Sequence, residues 1–154
     1  MNVGIEPASA GDRPYLRDLL SRHLEELSRY GNVDLNYRYF DAYWKEPEGR
    51  WPYLIRENSR PTGFAFVNTW SPSGRGTDFS IAEFYVVPDA RMRGIGRGAA
   101  RALLRTRSGI WEVNVMTLNA TAQKFWPRAL DAAGAKDMER IEVDRETVYR
   151  FRIA

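Results

Sequence analysis

Apolar positions along this chain alternate between two periods, and the switches mark the elements. VGIEPA, at residues 3–8, reads as a short first strand. In GDRPYLRDLLSRHLEELSRYG, Leu16, Leu19, Leu20, Leu24 and Leu27 recur at helical spacing and give one apolar face. Asp12 is the expected cap, Pro14 suits a first turn, and Gly31 is the expected stop. NVDLNYRYFDAYWKEPEG is aromatic and acidic, and predicts a loop with a short helix around Tyr39 to Trp44. WPYLIREN and GFAFVNTW then read as strands separated by the turn-like SRPT. SPSGRGTD is a second turn and FSIAEFYVV a third strand. RMRGIGRG opens the helix AARALLRTR, and GIWEVNVM is a further strand. NATAQKFWPRALDAAG predicts a helix capped by Asn119 or Thr121 and closed by Gly134. Pro127 inside it is expected to kink it or mark its true start. MERIEV and TVYRFRI close the chain as a hairpin around DRE.

The order is strand, helix or helices, three-strand meander, helix, strand, helix, two strands. It predicts an α/β fold on a mixed sheet, with antiparallel strands first and a strand–helix–strand unit in the second half. A length of 154 residues fits one domain spanning 1–154. The chain has no cysteine and one histidine, His23. Disulfides, thiolate metal sites and histidine-rich metal sites are thereby excluded, and no metal is expected. No apolar run approaches the ~20 residues needed to cross a bilayer. The start, MNVGIEPASAGD, has no signal-peptide pattern, so a cytoplasmic protein without membrane contact is expected. The net charge of +3 suits an anionic ligand but is too small to argue for nucleic acid.

The most informative stretch is RMRGIGRG, residues 91–98. A strand running into a glycine-rich turn and then a helix presents free N–H groups at the helix N-terminus. Those groups and the helix dipole favour an anion, usually phosphate. Glycine permits close approach and positive φ. Arg91, Arg93 and Arg97 add charge around the turn. The pattern is not a P-loop, which needs Gly-x-x-x-x-Gly-Lys-Ser/Thr. Nor is it the Rossmann fingerprint, because Gly94, Gly96 and Gly98 alternate and a meander precedes them.

Arg91-x-x-Gly94-x-Gly96 after the strand, in FYVVPDARMRGIGRGAARALL, resembles the acetyl-CoA signature of the GNAT N-acetyltransferases. NVMTLNATAQKFW resembles that family's later strand, its Asn and the following helix. The element order agrees over nearly the whole chain, and the specific part is residues 83 to 126. The resemblance implies the GNAT acyl-CoA N-acyltransferase fold, a six- to seven-stranded mixed sheet flanked by about four helices. It implies acetyl-CoA as cosubstrate. The backbone of Phe84, Tyr85 and Val86 would hold the pantetheine arm like an added strand. Arg91, Met92, Arg93, Gly94, Ile95, Gly96, Arg97 and Gly98 would form the pyrophosphate turn. Asn119, Ala122, Phe125 and Trp126 would line the same groove.

The implied reaction is direct acetyl transfer to a primary amine of a small molecule or protein. An alkyl amine is protonated at neutral pH, so the site needs a proton acceptor. Glu83 is the candidate base. It stands one residue from the family's commonest position, so strand alternation turns it to the other face unless a bulge intervenes. Asn114 occupies a place where some members carry a Glu, and it can orient water. Glu112 lies on the same face but deeper. Trp126 stands where the family often has an acidic Tyr, which leaves Tyr85, Tyr43 or water for that task. The acceptor wall would include Glu25, Glu26, Tyr30, Asp34, Tyr37, Tyr39, Asp41, Tyr43 and Trp44. His23 reads as an exposed or structural histidine. The alternative function is a weakly active or inactive GNAT-fold CoA-binding module acting as sensor or protein partner. No nucleic-acid partner is expected, and the sequence is compatible with a homodimer without demanding one.

Overall fold

The computed structural model describes residues 2–154. A seven-stranded sheet organises it. The strands are β1 (Val3–Pro7), β2 (Arg50–Glu57), β3 (Arg60–Asn68), β4 (Phe79–Val86), β5 (Gly109–Met116), β6 (Lys136–Val143) and β7 (Glu146–Ile153). Their order across the sheet is β1-β2-β3-β4-β5-β7-β6. Every neighbouring pair is antiparallel except β4 and β5, which are parallel. The helices are α1 (Arg13–Leu27), α2 (Ala42–Lys45), α3 (Ile95–Leu104) and α4 (Ala120–Ala132).

The sheet is covered on both faces. On one face Leu16, Leu19, Leu20 and Leu24 of α1 bury against Leu54, Phe64, Phe66 and Tyr85. On the other, Leu103 and Leu104 of α3 and Trp126 and Leu130 of α4 bury against Ala65, Ile81, Trp111 and Val113. Each fully buried Leu contributes about 1.5–3 kcal/mol of transfer free energy.

Several local expectations are corrected. Asp12 stands at the N-cap of α1 but makes no cap bond to it; its carboxylate accepts from Ser9 N at 2.8 Å and closes a preceding 3-10 turn. Helix α1 ends at Leu27 rather than running to Gly31. The β2–β3 turn is Asn58-Ser59, with Asn58 at φ 56°, and not SRPT. Pro61 is tolerated in β3 because the ladder is irregular there, between Ile55 and Arg56 of the partner strand. Of the two expected caps for α4, Asn119 is the one used: its side chain accepts from Ala122 N at 3.2 Å. The helix starts at Ala120, so Pro127 is interior and leaves the Gln123 carbonyl without its helical donor.

Glu112 is fully buried and is a structural anchor. Its carboxylate accepts from Ser71 Oγ, Ser73 N and Ser73 Oγ, and pairs with Arg150 at 2.5 Å. Burial pushes its pKa up, but the bonds from Ser73, Arg150 and Ser71 together outweigh that and hold it below the ordinary value. A carboxyl depressed on folding stabilises the fold above its unfolded pKa. That contribution is lost as pH falls through the folded value. Glu112→Gln leaves Arg150 uncompensated and is expected to cost about 3 kcal/mol at neutral pH. In urea titrations carried into the acid range, the variant should lose stability less steeply than the wild type. Asn119→Ala removes the α4 cap and should cost about 1 kcal/mol in the same measurement.

Candidate active site

Strands β4 and β5 pair over only three positions: Phe79 with Trp111, Ser80 with Glu112 and Ile81 with Val113. The cause lies in β4. Opposite β3, Phe66 pairs with Glu83 but Val67 pairs with Ile81, so Ala82 is an extra residue, a β-bulge. A bulge bends its strand and increases local twist. Past it, β4 diverges from β5. The facing edges of both strands then carry backbone N–H and C=O groups with no ladder partner. A cleft of about 320 Å³ opens between them.

The bulge also decides where Glu83 points. Ile81 and Phe84 pack on the α3/α4 face, whereas Ala82 packs on the α1 face. Strict alternation would turn Glu83 to the α3/α4 side. The extra residue sends it to the α1 side with Ala82, where its carboxylate meets His23 Nε2 at 2.9 Å. The Tyr37 hydroxyl lies near Glu83, whose charge adds to burial in raising its pKa. The carboxylate lines the cleft and, among the described residues, is not paired with Lys or Arg.

Asn114, Asn119, Ala122, Phe84 and Trp126 line the same cleft. Asn114 Nδ2 donates to Glu146 Oε2 at 2.6 Å. Trp126 meets the Phe84 ring edge-on at 5.1 Å and the Phe125 ring at 5.0 Å. Phe125 itself lies under the glycine turn: a Cβ on Gly96 would sit 3.1 Å from its ring. Phe84, Trp126, Phe125 and Gly96 thus form one continuous run from the cleft to the turn. Tyr85 is turned away, buried against α1. Val86 packs with Ile95 beneath α3.

At the turn, Gly94 is the N-cap of α3 with φ 80°, a conformation suited to glycine. Met92 is fully exposed and also left-handed, at φ 67°. The first helical bond runs from Gly98 N to Gly94 O, so the amides of Ile95, Gly96 and Arg97 have no intrahelical acceptor. Gly98 packs on Val3, where a Cβ would stand 3.2 Å from that side chain. Arg97 is exposed and without an acidic partner among the described residues, and Arg93 reaches Glu57 at 3.3 Å. Arg91 is differently placed. Its Nε donates to Val86 O at 2.7 Å, it pairs with Glu26 at 2.8 Å, and it stacks over Tyr85. It locks the end of β4 to α1.

Of the residues expected to form the acceptor wall, Asp34 and Tyr37 line the cleft. Asp41 pairs with Arg13, Tyr43 stacks on Phe66 at 4.1 Å, and Trp44 Nε1 donates to Ala8 O and Ser9 O. Burial, reinforced by Glu83, drives the Tyr37 hydroxyl pKa far above its usual value, and burial raises that of Tyr43. Two functional candidates escaped sequence reasoning. Glu146 reaches the cleft only through the β5–β7 register, which sets it opposite Met116. His23 carried a usable signal: it is the one polar residue within the apolar stripe of α1, and it is buried.

The lining is acidic. Among the described residues it holds Asp34, Glu83 and Glu146 and no Lys or Arg, in a chain whose net charge is +3. No group of three His, Cys, Asp or Glu among the described residues could hold a metal. No helix there is long and apolar enough to cross a membrane.

Solved structures share this fold. An acetyltransferase from Thermus thermophilus superposes with a TM-score of 0.73 at 15% identity, covering 99% of this chain and 98% of that one. The PaiA N-acetyltransferase of Thermoplasma acidophilum, solved with coenzyme A, gives 0.68 at 11% identity, covering 99% and 100%. YncA of Salmonella typhimurium, solved with its cofactor acetyl-CoA, gives 0.62 at 16% identity, covering 98% and 92%. No curated protein sequence matches. At these identities the likeness concerns the fold. The sequence pattern of the Acetyltransferase (GNAT) family, however, matches residues 15–131, most of the chain. The glycine turn on α3, the parted β4 and β5 strands and that match agree: the chain belongs to the GNAT acetyltransferase family.

Proposed function

We propose that this protein is an acetyl-CoA-dependent N-acetyltransferase that moves an acetyl group directly to a primary amine of a small molecule or a protein. The observation that carries the reading is the Glu83 carboxylate, turned by the Ala82 bulge into the cleft where β4 and β5 separate. The residues present fit the cosubstrate. The free strand edges can pair with an amide-bearing chain as an added strand does. The bare amides at the start of α3, with Arg93 and Arg97 beside them, suit phosphates. The aromatic contact of Gly96 with Phe125 keeps that approach free of a side chain.

Acetyl-CoA supplies the acyl group as a thioester. Backbone amides at the end of β4 polarise its carbonyl oxygen. The acceptor arrives as an ammonium, which the carboxylates of Asp34, Glu83 and Glu146 favour. Glu83 takes one proton from that nitrogen and frees its lone pair. The N–C bond forms, the C–S bond breaks, and the nitrogen's second proton accompanies the sulfur. No tyrosine is suited to supply it. The Tyr37 hydroxyl, the one that lines the cleft, has its pKa raised by burial and Glu83, so it holds its proton. Trp126 has no acidic proton to offer.

Calorimetric titration with acetyl-CoA tests the first half. Wild type should bind, and Gly96→Glu and Arg97→Glu should each weaken binding at least about tenfold by placing a carboxylate at the phosphate turn. Arg97 is exposed, so its variant keeps the fold even if Gly96→Glu strains Phe125. A free-thiol assay against a panel of amines tests the second half. Glu83→Gln should lower kcat about 10²–10⁴-fold with acetyl-CoA affinity unchanged. Binding with no turnover of any amine would reassign the protein to a CoA-binding module without catalysis.

A further inference from the structure

His23 is the single histidine of the chain. It lies within the apolar stripe of α1 and is 9% exposed. The Phe64 ring meets it edge-on at 6.0 Å and the Tyr85 ring lies at 5.4 Å, so the imidazole has little freedom to turn. Its Nε2 is 2.9 Å from Glu83 Oε1. An ionised carboxylate only accepts, so Nε2 carries the proton and donates. Nδ1 has no hydrogen-bond partner among the described residues. No fully buried side-chain nitrogen or oxygen there lacks a partner, so Nδ1 is not sealed from solvent.

The charged and titratable surroundings are few. From β4 come Glu83 and Tyr85, and from the loop after α1 comes Tyr37, near the same carboxylate. β3 presents Phe64, which has no charge. One turn along α1, Glu26 is occupied by Arg91, whose guanidinium sits over Tyr85.

We propose that His23 is the positioning residue of the base: its Nε2–H fixes Oε1 of Glu83, which leaves Oε2 for the acceptor ammonium. This rests on the reading of Glu83 as base. The ammonium proton passes to Oε2, the imidazole proton stays on Nε2, and none crosses between the two residues. The imidazole thus orients the carboxylate through a single hydrogen bond.

The experiment is kcat for wild type, His23→Gln and His23→Leu, with acetyl-CoA affinity measured alongside. Gln sets an amide nitrogen near the Nε2 position, a donor for the same hydrogen bond. Leu fills the space without donating. His23→Leu should lose about tenfold to a hundredfold in kcat, the scale of a hydrogen bond to a charged group. His23→Gln should recover to within about threefold of wild type. Acetyl-CoA affinity should not move in either variant. An active wild type with His23→Leu equally active, or with His23→Gln as impaired as His23→Leu, would overturn the role of His23 alone. A wild type that binds acetyl-CoA but acetylates no amine would remove the base and its positioning together. A low-field Nε2 proton of the one imidazole, seen by NMR in wild type and lost in Glu83→Ala, should report the bond without turnover. Its absence from wild type would equally overturn the proposal.

Discussion

The site depends on a failure of pairing at the centre of the sheet. β4 and β5 hold together for three residue pairs and then separate, because one extra residue, Ala82, bends β4. Interior strand edges are costly to leave unpaired, since each backbone amide and carbonyl seeks a partner. Here the cost is limited because the cleft admits water, and the free edges become a surface that an amide-bearing ligand can complete. The same bulge rotates Glu83 toward α1. One inserted residue therefore opens the cleft and points its carboxylate.

Two glutamates on neighbouring strands show how packing assigns chemistry. Glu112 is fully buried, bonded by Ser71 and Ser73 and paired with Arg150. Its charge is consumed in holding the β3–β4 loop to the sheet. Glu83 meets a histidine and open cleft, with no Lys or Arg on it among the described residues. The arginines of the glycine turn divide in the same way. Arg91 is committed to Val86 O and Glu26 and fixes the strand end, whereas Arg97 is exposed beside the free amides of α3. Charge is thereby separated along the groove: cationic at the turn, anionic in the cleft.

Much was legible in the sequence because it is local. The helical leucines of α1, the meander, the glycine turn and the Asn119 cap each depend on residues within a few positions of one another. Gly94, Gly96 and Gly98 announce a helix start whose amides no side chain covers. The chain itself thus determined the mixed sheet, the flanking helices, the turn and the set of residue types available for chemistry. Tertiary structure alone decided which of them meet. His23 and Glu83 are 60 positions apart, and Asn114 and Glu146 are 32. Such pairs are fixed by strand register and helix docking, which hydrophobic periodicity does not encode. The direction of Glu83 is the sharpest instance: alternation gives one face, a bulge the other, and the ladder between β3 and β4 settles which.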